Sequence, residues 1–423
     1  MVACTALVLA LVVATLVYLL YNYSRLKSIP GPVLAAFTDI WRTIAQRSSP
    51  SEYGRFLLEL HQKYGAVVRL GPAVVSLSNV EDIAKAYHTQ LLDEASQLDL
   101  HGQPSEHRED QLEDVVDNAL CNLVRTLRRY RVVNLTILRF FAEEIITELV
   151  GNSYLHPAAS HTSSQSQPSP SLFGTMEEIL LRGPVSLLKR DRLSCYGILG
   201  DVSASISATD PAQPRGFGTV HKFVDRMPLG CAFAMSIQDI TDTFVLLFPL
   251  LLNSPGVLRK LRNEIENMPM FRNRAIIPSS RDVTGLFYLD AVFKEAMRLV
   301  LLQRQSREIR LSSGLRSNEN LPHGTVFSWH PGVVLTMDSI FGDDAHMFRP
   351  ERWLTSDRPR RVLMEEYLLP FTICRAYYPK LEDGWLQLKK TVVVLLREFD
   401  DVSCLHRSAR DPGNNRDAHD EAY

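Results

Sequence analysis

The 423-residue chain has no surplus of either charge: 46 Lys and Arg stand against 48 Asp and Glu, a formal net charge of −2. Nothing in that balance suggests nucleic-acid binding through a basic surface. It has no Cys-x-x-Cys pair, and its six cysteines (Cys4, Cys121, Cys195, Cys231, Cys374, Cys404) are scattered. This argues against a zinc site or a disulfide framework and suits a reducing compartment. Tryptophan is absent between Trp41 and Trp329, and glycine is absent between Gly342 and Gly384. Without glycine, a backbone lacks the residue that lets it approach another group most closely.

Charge is also missing from Val2 to Tyr21. About 20 apolar or small residues span a bilayer's hydrocarbon core as a helix. The run is longer than a signal-peptide core, has no positive residue before it and shows no cleavage site after it. Arg25 and Lys27 follow, which keeps the C-terminal side in the cytosol. Residues 2–22 therefore read as a transmembrane signal anchor. Residues 23–48 read as a hinge around Ile29-Pro30-Gly31-Pro32, where two prolines lack an N–H.

The main domain is expected over 49–403. A helix is predicted from Glu52 to Tyr64, with Phe56, Leu57 and Leu60 on one face. Strands follow at Ala66–Leu70 and Ala73–Leu77 around the turn Gly71-Pro72. Ser78-Asn79-Val80-Glu81 reads as a capping box opening a helix to Tyr87. Thr89–Asp117 is polar and acidic, and Val115–Gly151 is helical in two pieces broken near Val132. Residues 152–171 form a low-complexity loop, and Lys189–Arg226 is poorly patterned. Met227–Leu252 is apolar all round and predicts a buried helix, with Pro249 inside it. Val257–Glu266 and Trp385–Phe399 are further helices, and 404–423 is a polar tail. The fold class expected is mainly α with a small β-sheet.

Phe287 to Arg298 has Leu289, Val292, Phe293 and Ala296 at helical spacing. Glu295 and Arg298 sit three apart on that helix, one face. Buried, they need partners, because an unpaired buried charge is costly. Arg352, in Phe348-Arg349-Pro350-Glu351-Arg352-Trp353, supplies a second cation.

A helical Glu-x-x-Arg followed by Pro-Glu-Arg-Trp resembles the cytochrome P-450 family, in which these residues lock the haem-side core. Tyr64-Gly65-Ala66-Val67-Val68-Arg69-Leu70-Gly71-Pro72 is similar to its fungal, membrane-anchored members, particularly those like pisatin demethylase. The resemblance implies a cytochrome P-450-like fold and haem-dependent monooxygenation of a small lipophilic molecule in fungal secondary metabolism. It also implies electrons from an NADPH-dependent reductase and a place on the endoplasmic reticulum bilayer, the main domain in the cytosol. Arg307 or Arg310 would face a haem propionate. The family's helix carrying a tryptophan and an arginine for the other propionate has no counterpart here. Its oxygen-activating Ala-Gly-x-Asp/Glu-Thr-Thr segment falls on Met235–Ile240, so the threonine positions read Asp239 and Ile240. Asp239, Thr241 and Thr243 offer a shifted relay.

The family's iron loop, Phe-x-x-Gly-x-Arg-x-Cys-x-Gly, falls on Phe371 to Lys380. Register from Phe371 and from Arg397-Glu398-Phe399-Asp400 puts the axial position at Tyr378. Three readings stand open. Cys374 ligates as a thiolate after a shift of four positions, with Arg375 favouring the thiolate; Tyr378 ligates as a phenolate, as in catalase; or no iron ligand exists. In the last case the chain is an impaired relative, a non-catalytic pseudoenzyme, or a membrane-anchored ligand-binding protein. A splicing error over residues 372–380 would produce the same sequence.

Overall fold

The structure, a computed structural model, describes residues 2–48, 52–95, 109–130, 138–146 apart from 140 and 144, 230–268, 277–304, 306–310, 322, 324–368 and 380–399. The low-complexity loop 152–171, the stretch Lys189–Arg226 and the tail 404–423 lie outside the described residues. In chain order the elements are α1 (Val2–Arg25), a 3-10 turn (Val33–Ala36), α2 (Ile40–Ser48), α3 (Tyr53–Tyr64), β1 (Val67–Arg69), β2 (Val74–Leu77), α4 (Val80–Ala95) and α5 (Glu109–Tyr130). Then come α6 (Gly230–Leu252), α7 (Pro255–Glu266), α8 (Ser280–Thr284), α9 (Phe287–Leu302), β3 (Arg307–Arg310) and β4 (Val326–Trp329). The last are α10 (Pro331–Val334), α11 (Asp338–Phe341), α12 (Arg352–Thr355), α13 (Arg358–Glu366) and α14 (Lys380–Glu398). The protein is thus mainly helical with one small sheet. Among the described residues no single helix is long and apolar enough to cross a membrane; the apolar part of α1 that is described in full is Leu9–Arg25. The chain divides into two compact units, Met1–His101 with Arg298–Met347 and Ser356–Ile373, and Gly102–Met297 with Phe348–Thr355 and Cys374–Tyr423.

The first unit is built on a sheet of order β1-β2-β4-β3. β1 and β2 are antiparallel, Val68 facing Ser76; β2 and β4 are parallel, Val75 facing Phe327; β4 and β3 are antiparallel, Phe327 facing Ile309. Val-Val-Ser-Leu is buried along all of β2, so its one hydroxyl needs a partner. His61 of α3 provides it: Nε2 lies 2.8 Å from Ser76 Oγ and Nδ1 2.9 Å from Gly65 O. A carbonyl only accepts, so Nδ1 carries the proton and Nε2 accepts from Ser76. Tyr53 and Leu57 of α3 close the core against Val68, Leu70, Val74 and Val333.

Two local expectations are corrected. Asn79 Oδ1, not Ser78, accepts the Glu81 amide (3.1 Å), while Ser78 Oγ donates to Ala66 O at 3.3 Å. α4 then continues past Tyr87 to Ala95, because nothing in Tyr87–Ala95 breaks a helix. The Arg307–Arg310 segment, which carries the two propionate candidates, forms an edge strand on β4. Arg-Glu-Ile-Arg has little of the apolar alternation that marks a strand, and only pairing with β4 defines it.

Arg69, in β1, is 3% exposed and faces carbonyls rather than a carboxylate. Its Nη2 donates to Asn22 O (2.6 Å) and Ala36 O (3.2 Å), its Nη1 to Tyr23 O (3.2 Å) and Leu26 O (3.3 Å), and its Nε to Gly71 O (3.2 Å). Carbonyls near the C-terminus of α1 are left without helical partners, and a cation there also suits the helix dipole. Burial pulls the Arg69 pKa below its ordinary value. The segment expected as a hinge is therefore pinned to β1, and Gly31 is required where it crosses: a Cβ there would lie 2.4 Å from Arg69 O.

His330 opens α10, its Nδ1 accepting the Gly332 amide at 2.9 Å. A Cβ on Gly54 or Gly332 would come within 2.8 or 2.9 Å of the imidazole, so the two glycines make its slot. Burial lowers the His330 pKa from 6.5 to about 4, and His61 is lowered as well, by burial first, with the Gly65 hydrogen bond opposing. The unfolded imidazole then binds a proton that the folded one refuses. Stability is complete above pH 6.5 and falls as pH drops towards 4. His330 alone should remove on the order of 3 kcal/mol over that window. Thermal unfolding midpoints measured from pH 7.5 to 4.5 should fall steadily, and His330→Gln should flatten the fall.

In the second unit α6 is followed at once by α7, bent from it by 110°. α14 is buried along most of its length, and two of its lysines pair with carboxylates. Lys390, fully buried, pairs with Asp117 of α5, and Lys389 pairs with Asp290 of α9. Lys389 also lies 6.0 Å from the Phe293 ring centre and 5.6 Å from that of Trp385. Burial lowers the Lys389 pKa while Asp290 opposes it; burial would raise Asp290, but Lys389 and Lys294 hold it below the usual range. α14 begins at Lys380, five residues before the predicted Trp385.

Candidate functional site

The best-defined buried charge cluster lies on α9. The helix starts where the Glu264 carboxylate accepts the amides of Tyr288 (2.7 Å) and Leu289 (2.9 Å), so a side chain of α7 satisfies its first turn. Tyr288 Oη donates to Glu351 at 2.9 Å, and Lys260 pairs with the same carboxylate at 2.6 Å. Two turns on, Glu295 is fully buried. Its Oε1 accepts from Arg352 Nε at 3.0 Å and from the Arg349 amide at 3.1 Å, and its Oε2 from Trp353 Nε1 at 2.9 Å. Arg352 is 2% exposed. A carboxylate without water thus holds a cation, an indole and a main-chain amide, enough to offset its desolvation. Sequence reasoning grouped Glu295 with Arg298 and, as a second cation, Arg352; the Arg352 bond is present, while the Trp353 indole and the Arg349 amide were missed, although both lie in the quoted motif.

Arg298 belongs to the first unit and is fully buried there. It donates to the carbonyls of Leu335 (3.3 Å), Ala345 and Met347 (3.2 Å), and its guanidinium lies 5.4 Å from the Phe341 ring centre. Its work in that unit is to hold the chain from 335 to 347 by its backbone, a role the sequence did not suggest.

On α6, Asp239, Thr241, Asp242 and Thr243 are all buried. Thr243 Oγ1 donates to Asp239 O at 2.6 Å, so that hydroxyl serves its own helix. Thr241 Oγ1 is buried and has no hydrogen-bond partner among the described residues. Asp242 pairs with Arg139, which also lies 3.8 Å from Glu143. Burial raises the Glu143 pKa, with Arg139 opposing and Asp242 reinforcing. The Asp242–Arg139 pair was not foreseen, because the two residues lie 103 positions apart in sequence.

A sequence model described as Cytochrome P450 matches residues 240–373. Cytochrome P450 monooxygenase mfmA of Annulohypoxylon moriforme is 24% identical, over 92% of this chain and 90% of its own length. Cytochrome P450 monooxygenase pkfB of Emericella nidulans is 25% identical over 91% and 88%. A cytochrome P450 monooxygenase of Aspergillus terreus is 31% identical, over 38% of this chain and 34% of its own length. Together these matches support a cytochrome P450 family member, a monooxygenase by kinship, and haem with its iron follows from that family. The stretch that matches the P450 model carries Thr241, Glu295, Arg298, Arg307, Arg310 and Arg352, the last with its carboxylate partner, and stops at Ile373.

The groups bearing on a P450 haem stand as follows. Cys374 and Tyr378, the two axial candidates, lie outside the described residues. Arg307 and Arg310, the propionate candidates, are at the two ends of β3, where they face Trp329 and Val326 of β4. α6 supplies a buried helix with a hydroxyl, on Thr241, that no group among the described residues satisfies. A ligand oxygen or a water would complete that hydroxyl, so α6 fits a wall beside a bound group.

Proposed function

We propose that this P450 oxidises a small lipophilic molecule in fungal secondary metabolism, that α1 anchors it in the endoplasmic reticulum membrane with its main domain in the cytosol, and that an NADPH-dependent reductase reduces it. We propose further that its chemistry is impaired in this chain. When bound through a thiolate, haem iron supplies oxygen activation, the thiolate pushing electron density to favour O–O cleavage. The observation that carries the impairment is the Phe371–Lys380 sequence, which puts Tyr378 at the axial register without one glycine. α6 supports it: Asp239 and Ile240 replace the two threonines, and the Thr243 hydroxyl is spent on Asp239 O. Thr241 is the hydroxyl left to hold or pass a proton. Cys374, four residues early, is the only thiol near the axial register.

The carbon monoxide difference spectrum of the reduced, purified protein tests this. The expected result is no thiolate-type band. Such a band assigns Cys374 as the ligand and overturns the impairment, and its loss in Cys374→Ser would fix the assignment. A haem signal of another type points to Tyr378. No haem, with a lipophilic molecule co-purifying, favours a ligand-binding role. Sequencing the transcript across 372–380 separates true loss from a splicing error.

A further inference from the structure

β3 lies at the edge of its sheet, laddered to β4 alone among the described strands. A four-residue edge with so little strand character has few contacts to keep it closed. Glu308, its second residue, adds a hold from outside the sheet: Arg42 Nη1 of α2 donates to Glu308 Oε1 at 2.8 Å. In register, Glu308 stands beside Ser328 and Ser328 beside Ser76, whose partner is His61 of α3. Glu308 therefore sits on the sheet face that α3 covers. Tyr53, the first residue of α3, lies near the pair: burial raises its pKa to about 12, with Arg42 opposing and Glu308 reinforcing.

A second carboxylate competes for the same guanidinium. Asp39 Oδ1 stands 3.7 Å from Arg42 Nε, just beyond hydrogen-bond reach. That Nε is buried and has no hydrogen-bond partner among the described residues, a costly state for a donor. Asp39 itself is fixed. Its carbonyl accepts the amide and the hydroxyl of Thr43 at 3.0 and 3.1 Å, and its Oδ1 occupies the place where a Cβ on Gly71 would fall. The long arginine side chain is thus the part that moves. The carboxylates are open to water, Asp39 49% and Glu308 37% exposed, so both attractions are screened and neither locks the guanidinium. Turned to Glu308, Arg42 leaves Nε bare; turned to Asp39, it satisfies Nε and gives up the strand.

We infer that Arg42 is a two-position strap, which holds β3 in the sheet when it faces Glu308 and lets the strand open when it faces Asp39. β3 carries both propionate candidates, so the use of the strap rests on the proposed haem site, while its working needs no ligand. Hydrogen exchange read by mass spectrometry on the full-length protein in detergent tests it, on peptides covering Arg307–Arg310, with those covering β1 and β2 as reference. Glu308→Gln should speed exchange in β3 about two- to five-fold, the range of a solvent-exposed ion pair. Asp39→Asn should slow it by about two-fold, because the competing charge is gone and the side chain keeps its size. Salt at about 1 M should speed exchange in the parent and not in Glu308→Gln. A pair with a merely structural role would not give opposite signs for the two carboxylates. Faster or unchanged exchange in Asp39→Asn overturns the two-position reading, and unchanged exchange in Glu308→Gln overturns the strap itself. Faster exchange across β1 and β2 as well reports general loosening and overturns it too. Haem missing from every preparation would count against the proposed function and leave these exchange results decisive.

Discussion

Replacing Arg352 with alanine should destabilise the second unit by about 3–5 kcal/mol, the usual result of leaving one partner of a buried ion pair uncompensated. Glu295 would keep the Trp353 indole and the Arg349 amide at 2.9 and 3.1 Å but lose the guanidinium at 3.0 Å. Lysine is a poor substitute, since the bond at 3.0 Å comes from the guanidinium Nε, partway along the side chain. Chemical denaturation of the single and paired variants measures the effect. Glu295→Gln with Arg352→Met should recover part of the loss, because the charge left behind, more than the missing attraction, is the destabilising element. Equal losses for the pair and for Arg352→Ala would show that packing, not charge, dominates.

Arg69→Ala should cost the first unit about 3 kcal/mol or more, since several carbonyls lose a charged donor at once and each buried orphan costs roughly 1–3 kcal/mol. Its effect should also be local. Limited proteolysis should open the chain between Asn22 and Ala36, whose carbonyls Arg69 holds at 2.6 and 3.2 Å, before the sheet itself unfolds. Arg69→Lys should recover only part, because one ammonium cannot reach every acceptor that the planar fork reaches. Cleavage unchanged in Arg69→Ala would show that the 3-10 turn and Gly31 hold the segment without it.

Much of the fold was legible because period and punctuation agree. Gly71-Pro72 between two β-branched runs gave the β1–β2 hairpin, and the apolar run to Leu252 gave α6. β3 was illegible: Arg307–Arg310 is a strand because Val326–Trp329 pairs with it, and nothing local says so. The extension of α4 to Ala95 was missed because polar composition was taken for loop, although Asp, Glu and Gln are tolerable on a helix. At the site, Glu295 and Arg352 were readable from a motif, whereas Arg298's carbonyl partners were not, since backbone acceptors leave no trace in side-chain identity. Likewise, sequence cannot show that the Thr243 hydroxyl is spent on Asp239 O while that of Thr241 has no partner among the described residues.

The parallel pairing of β2 with β4 sets an order on biosynthesis. Val75 waits for Phe327, and more than half of the chain must be made between them. At roughly 5–20 residues per second, the interval on the ribosome is on the order of tens of seconds. During that time β2 has an open edge and the hairpin has no third strand, the kind of surface that invites non-native pairing. Were the nascent chain tethered by α1 as proposed, with Arg69 gripping the helix end, its sticky edge would spend that wait held in place rather than free to meet a neighbour.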